Sequence, residues 1–110
     1  MIASVYGDLP VVAIGERAFY ECENLTSVTI QNGVTSIGRY AFYGCSKLAS
    51  VEIPDGVLSI GDSAFALCTS LTNIRFGGTV AKWELIVKGM LWNSDVPATQ
   101  TVCVDGSTAP

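Results

Sequence analysis

The feature that most constrains the fold of this chain is an internal repeat of 23 residues. Three consecutive copies follow the consensus I-G-x-x-A-F-x-x-C-x-x-L-x-x-V-x-I-x-x-G-V. One unit of this length cannot bury its own apolar face, so the repetition predicts a stack in which each copy covers the next. Four of the aligned positions are Ile14, Ile37 and Ile60; Phe19, Phe42 and Phe65; Cys22, Cys45 and Cys68; and Leu25, Leu48 and Leu71.

Each copy contains one segment with the alternation of a short β-strand. The segment 25–30 and its counterparts at 48–53 and 71–76 place β-branched residues on one side. We expect these strands to lie parallel, about 4.8 Å apart. Turns follow at Asn32-Gly33 and Asp55-Gly56, and a second short extended piece covers 34–37. The G-x-x-A-F-x-x-C segment is too short for a mature helix, so we predict one helical or 3-10 turn on the far side.

The repeat is incomplete at both ends. Ile2, Val5 and Val11 fit a truncated preceding copy. After Trp83 the pattern is lost, because Glu84, Lys88 and Ser94 stand where it has Gly, Phe and Leu. The sequence therefore predicts one folded domain with repeats over residues 1–83 and a C-terminal cap and tail over residues 84–110.

The cap is predicted to contain a short helix and a strand. Residues 81–88 read as an amphipathic helix stopped by Gly89, and residues 101–104 as a strand added beside residues 72–76. A cap is needed because an open end of the stack would expose core and strand edge. Alternatively, two tryptophans in this region stack on a ligand. The residues expected to cover the core are Trp83, Ile86, Val87, Met90, Leu91 and Trp92.

Four cysteines invite a metal or disulfide interpretation. Zinc sites use closely spaced pairs, whereas three of these cysteines recur every 23 residues in one structural position. A disulfide between adjacent coils is conceivable, but buried reduced cysteine serves well as a small hydrophobe. We expect all four, including Cys103, to be reduced core residues, with no metal and no cofactor.

Composition excludes several other functions. The chain has no histidine, which removes Ser-His-Asp and Cys-His catalysis, and no phosphate-binding glycine loop. The net charge is −4 without a basic run, so we expect no nucleic-acid partner. No apolar stretch approaches the roughly 18 residues of a membrane span, and Met1 does not begin a signal peptide. We predict no enzymatic activity and no membrane insertion.

Two surface columns are the candidate binding residues. Outward positions of neighbouring strands form a shallow polar face, in which Glu52 and Arg75 are expected to pair. On the opposite side Tyr20 and Tyr43 share one position, with Tyr40 nearby, and they are either interface anchors or packing residues. The candidates on the strands are Ser27, Thr29, Ser50, Glu52, Asn73 and Arg75.

The repeat resembles the BspA-like leucine-rich repeats of surface proteins from many anaerobic and gut bacteria. Residues 9–15 resemble the start of a first full coil. Residues 78–83, Ile86, Gly89 and residues 101–106 are similar to the segment that often closes such arrays. The likeness covers about residues 5–106 but lacks the buried Asn of the better-known consensus. It implies a right-handed leucine-rich-repeat solenoid of short parallel β-strands with brief helical or 3-10 turns and a C-terminal cap.

The resemblance also implies a location and a role. It implies an extracellular or cell-surface scaffold that contacts a protein or glycan partner in adhesion. The alternative is a passive spacer or terminal stalk without a ligand of its own. An exposed N-terminal strand edge could also pair two copies into a homodimer.

Overall fold

The structure is a computed structural model that describes residues 13–110 in full. Of the first twelve residues it describes only the backbones of β1 (Val5–Tyr6) and β2 (Leu9–Pro10), which pair antiparallel. The side chains of the predicted truncated copy, Ile2, Val5 and Val11, lie outside the described residues.

The three strands predicted from the repeat form a five-stranded sheet with two C-terminal strands. The strands are β4 (Ser27–Thr29), β6 (Ser50–Ile53), β8 (Asn73–Phe76), β10 (Thr101–Cys103) and β11 (Gly106–Thr108). In the order β11-β10-β8-β6-β4, all neighbours are parallel except the final hairpin β10-β11. β4 ends this sheet, and self-association at the N-terminal edge stays a prediction.

The second extended piece of each copy builds a parallel sheet of its own. The strands are β3 (Ala13–Ile14), β5 (Ser36–Ile37), β7 (Ser59–Ile60) and β9 (Val87–Lys88). Their order is β3-β5-β7-β9, and the register aligns Ile14, Ile37, Ile60 and Lys88. The two sheets form adjoining sides of a stack of about four coils.

The third side of each coil is a run of tight turns. Some N–H groups make the i to i+3 bonds of a 3-10 turn, as Ala18 does to the Gly15 carbonyl at 3.2 Å. They alternate with N–H groups that bond the next coil, as Phe19 does to the Ala41 carbonyl at 2.7 Å. The predicted 3-10 type of bond is present, but it does not continue into a helix because every second donor is used between coils.

The core is built from columns of identical side chains. The rings of Phe19 and Phe42 stack at 5.1 Å, and those of Phe42 and Phe65 at 4.9 Å, each pair within 4° of parallel. Phe42 and Phe65 are fully buried. The predicted stacked core is confirmed.

The glycine that follows the isoleucine of the second and third copies allows the coils to approach closely. A Cβ on Gly61 would lie 2.6 Å from the Arg39 backbone nitrogen, and one on Gly38 would lie 2.7 Å from that of Glu16. Real Cβ atoms do not tolerate such distances. Any larger residue at these two positions would therefore push neighbouring coils apart.

The predicted helix is present but shorter than expected. α1 spans Val80–Leu85, begins at the N-cap Thr79, and ends where Ile86 becomes extended. It stops before Lys88, and not at Gly89, because β9 pairs with β7. Trp83, Ile86 and Trp92 are buried as predicted, whereas Val87, Met90 and Leu91 are exposed, contrary to the prediction.

The pairing of coils continues beyond Trp83. Gly89 donates to the Ile60 carbonyl at 2.7 Å, just as Gly61 donates to the Ile37 carbonyl. Lys88 therefore occupies the isoleucine column, and placing it in the phenylalanine column was wrong. The partner of Ile60 lies 28 residues later instead of 23, because the residues of α1 are inserted between β8 and β9. The division between repeats at 1–83 and a cap at 84–110 stays a prediction.

Candidate functional site: two exposed surfaces

The first candidate surface, here called the strand face, consists of the outward side chains of β4, β6 and β8. Parallel register places one residue of each strand in each of two columns. Between them the buried Val28, Val51 and Ile74 point into the core. The strand face therefore presents Ser27, Ser50 and Asn73 in one column and Thr29, Glu52 and Arg75 in the other.

The charges of the strand face are not paired as expected. Glu52 accepts a hydrogen bond from the Thr29 hydroxyl at 3.1 Å. Within the described part of the chain, Arg75 forms no ion pair and no hydrogen bond through its guanidinium, so the predicted Glu52–Arg75 pair is wrong. A shallow groove of about 400 Å³ runs across both columns. Its polar groups are open to a partner.

The second candidate surface lies on the side of the tight turns. Tyr20 and Tyr43 stack at 5.3 Å and 7°, which confirms that they form a column. Tyr40 meets Tyr43 edge-on at 5.3 Å, and the Arg17 guanidinium lies 5.4 Å from the Tyr40 ring. Tyr20 is 42% exposed, so the cluster packs against itself while one ring remains open to solvent.

A cleft that was not predicted from the sequence lies beside this cluster and is here called the turn-side cleft. It has a volume of about 270 Å³ and begins where the tyrosine column ends at Ala66. The signal was present in the aligned copies, which read Tyr20, Tyr43 and Ala66 at one position. The residues that line the cleft include Tyr40, Tyr43, Ala66, Leu67, Leu91 and Asp95.

The four cysteines are free thiols. Cys45 donates to the Phe19 carbonyl at 3.2 Å and Cys68 to the Phe42 carbonyl at 3.1 Å. The interaction with the neighbouring Cys45 thiol, followed by burial, raises the pKa of Cys68, while the same interaction lowers the pKa of Cys45. Both are fully buried, so neither thiol is accessible to a substrate.

Burial also raises the pKa of the remaining two thiols, Cys22 and Cys103. Weak acidity keeps a thiol protonated and therefore poorly nucleophilic. The cysteine column is accordingly part of the packing.

The two tryptophans of the C-terminal region are not placed to stack on a ligand. Trp83 is 1% exposed and lies edge-on to Trp92 at 5.8 Å between ring centroids. Lys88 closes this cluster: its ammonium lies 4.6 Å from the Trp83 ring and donates to the Trp83 carbonyl at 2.7 Å. Burial lowers the pKa of Lys88. These contacts stabilise the end of the core.

Within the described residues, no helix has the length and apolar character needed to cross a bilayer. The helix α1 has six residues and carries Lys82 and Glu84 on its surface.

Comparison with known proteins identifies the repeat. Residues 7–87 match the model of the BspA type leucine-rich repeat region (6 copies). The crystal structure of a leucine-rich repeat protein of T. pallidum superimposes with a TM-score of 0.68 and 30% sequence identity over 91% of this chain. The chain spans 56% of that protein. No curated protein gives a significant match.

The structural match agrees with the observed solenoid of parallel strands closed by a short helix and strand. Leucine-rich repeat solenoids are scaffolds that commonly mediate protein interaction and are typically non-catalytic. The family model covers well over half of the chain. The chain belongs to the BspA-type leucine-rich repeat family.

Proposed function

We propose that this chain is a non-catalytic interaction module of a bacterial cell-surface or secreted protein, with an adhesion-like role. Its strand face binds a protein or glycan partner. Family membership supports the scaffold role and the location, because BspA-like proteins are often found at the surface or secreted.

The observation that carries the proposal is the unpaired charge on the strand face. Arg75 is exposed and has no side-chain partner among the described residues, and Glu52 beside it is held by Thr29. An arginine guanidinium offers five donors and is a frequent interface anchor. Ser27, Ser50 and the other short polar residues leave the groove shallow, which suits a flat partner.

The test is a binding screen of the intact chain against host matrix proteins and a glycan array. The variants Glu52→Gln and Arg75→Gln remove the two charges of the strand face. We expect either change to weaken binding by about tenfold, since each 1.4 kcal/mol of lost contact corresponds to that factor. The matched control is Arg39→Gln, which removes the same charge from the side of the tight turns.

Two outcomes would contradict the proposal. If Arg39→Gln weakens binding as much as Arg75→Gln, the strand face is not the binding surface. If the intact chain captures nothing from either screen, the chain is better explained as a passive spacer or stalk.

A further inference from the structure

The ring column on the side of the tight turns is interrupted. Successive coils place Tyr20, Tyr43 and Ala66 at the same position, but only the first two carry a ring. The coils are spaced so that equivalent rings stack at 5.3 Å for the tyrosines and at 4.9 Å for Phe42 and Phe65. A third ring above Ala66 would therefore lie within stacking distance of Tyr43. Among the described residues, the face of Tyr43 turned toward Ala66 lacks a stacked aromatic partner.

The turn-side cleft occupies the place of this missing ring. Ala66 forms its floor and is 3% exposed, while Tyr43 forms one wall. Leu67 and Leu91 line the cleft and are 37% and 65% exposed. Both adopt positive φ angles, 59° and 56°. The inner part of the cleft is thus apolar.

The rim of the cleft is polar. It carries the hydroxyl groups of Tyr40, Ser63 and Ser94 and the carboxylate of Asp95. Among the described residues, none of these four side chains has a hydrogen-bond or ion-pair partner within the protein. The cleft therefore combines a free aromatic face with several unused donors and acceptors.

We propose that the turn-side cleft binds a neutral pyranose unit of a glycan. A pyranose has an apolar ring face, which would stack on Tyr43, and peripheral hydroxyl groups, which would bond the rim. If a partner's aromatic side chain occupied the cleft instead, it would cover the rim groups without forming hydrogen bonds to them. Burying a polar group without a hydrogen bond costs free energy. An acidic sugar would meet the Asp95 carboxylate, a like charge.

This inference rests on the proposed role as a binding module, but it concerns a surface other than the strand face. The cleft can therefore fail to bind a sugar while the strand face still binds its partner. Conversely, the strand-face variants can lose their partner while the cleft still binds a sugar.

The experiment is a titration of ¹⁵N-labelled protein followed by amide chemical shifts. The probes are methyl glucopyranoside, methyl galactopyranoside and methyl mannopyranoside, with sialic acid as an acidic sugar and N-acetyl-phenylalaninamide as an aromatic probe. We expect at least one methyl pyranoside to shift the amides of Tyr43, Leu67, Leu91 and Asp95, and neither of the other probes to do so.

The decisive variant is Ala66→Tyr, which supplies the missing ring from the chain itself. Because Tyr20 and Tyr43 already occupy equivalent positions, we expect this variant to fold and to lose the pyranoside-induced shifts.

Asp95→Asn keeps the shape of the rim and removes its charge. We expect it to retain neutral sugars within about threefold and to weaken discrimination against sialic acid.

Should Ala66→Tyr fail to fold, Tyr43→Ala takes its place. Loss of the stacking face should weaken pyranoside binding about tenfold, near the upper range of one aromatic contact. The inference is overturned if shifts map to Ser27, Ser50 and Asn73, if only the aromatic probe binds, if no pyranoside binds, or if folded Ala66→Tyr binds as the parent does.

Discussion

At the scale of single residues, stability depends on side chains that touch their own equivalents in the next coil. Phe42 is enclosed between Phe19 and Phe65, and the thiol of Cys68 reaches the carbonyl of Phe42. Each core residue therefore supports two neighbouring coils at once. A change at one position should be felt on both sides of it.

The first prediction at this scale concerns the phenylalanine column. Phe42→Ala should lower the free energy of unfolding by about 3–5 kcal/mol, because it opens a cavity between two stacked rings. Phe19→Ala should cost less, since Phe19 is only half-buried. Urea unfolding of both variants gives the comparison. Equal losses for the two variants would contradict the enclosed position of Phe42.

A second prediction concerns the pH dependence of stability. Burial raises the pKa of the Cys103 thiol above the ordinary 9.0 in the folded state. Below that ordinary value the thiol is protonated in both states and its contribution is complete. As pH rises further, the unfolded chain loses this proton and the folded chain keeps it, so stability falls by up to about 1.4 kcal/mol per pH unit.

The measurement is urea unfolding under reducing conditions at about pH 8 and about pH 10, on either side of the ordinary thiol pKa. Burial raises the pKa of Cys22 as well, so both thiols lower the stability of the parent protein on this change. Cys103→Ala should lose less between the two conditions. An identical loss would show that Cys103 ionises as readily in the folded protein as in the unfolded chain.

At the scale of the elements, the helix α1 covers the end of the stack. It begins at Thr79, whose hydroxyl accepts a hydrogen bond from the Lys82 backbone at 3.2 Å. It places Trp83 against Phe76 and Trp92, with ring centroids at 5.3 Å and 5.8 Å. The helix therefore covers the core, and it interrupts a series of coils that is otherwise continuous.

The prediction at this scale tests the helix cap. Thr79→Ala should lower the free energy of unfolding by about 1 kcal/mol, because it leaves a backbone donor of the first turn without its side-chain partner. Thr99→Ala, at an exposed position outside the elements, is the matched control and should change stability little. Similar effects of both variants would argue against a stabilising cap at Thr79.

The elements differed in how far the sequence predicted them. Strands recur at constant spacing, so the parallel partners of Val51 and Ile74 followed directly from the repeat. The spacing failed where α1 was inserted, because alignment at a fixed offset placed Lys88 in the wrong column. The amphipathic pattern extended the helix to Lys88, although pairing with Ile60 ends it earlier.

The strand face could be predicted from the sequence, whereas the turn-side cleft was not. The strand face follows from register alone, so its six residues could be named in advance. The predicted ion pair between Glu52 and Arg75 was wrong because Thr29, in the same column, donates to the Glu52 carboxylate instead. The turn-side cleft depends on the ring that is missing at Ala66 and on the exposed Leu91. Leu91 belongs to the coil that contains α1, and the repeat pattern did not align that coil.

At the scale of the whole molecule, the chain is a short stack with a different chemistry on each side. One sheet carries unpaired polar groups, and the side of the tight turns carries tyrosines and a cleft. Both surfaces exist only because equivalent residues of successive coils lie side by side. The central claim is therefore the stacking of the coils, and every proposal for binding depends on it.

The measurement that tests this claim most directly is a nuclear Overhauser experiment on protein with labelled phenylalanine rings. The stacked rings lie at 5.1 Å for Phe19 and Phe42 and at 4.9 Å for Phe42 and Phe65. We predict cross-peaks for these two pairs and none between Phe19 and Phe65, which are two coils apart. Absence of the two cross-peaks in the folded protein would contradict the stack.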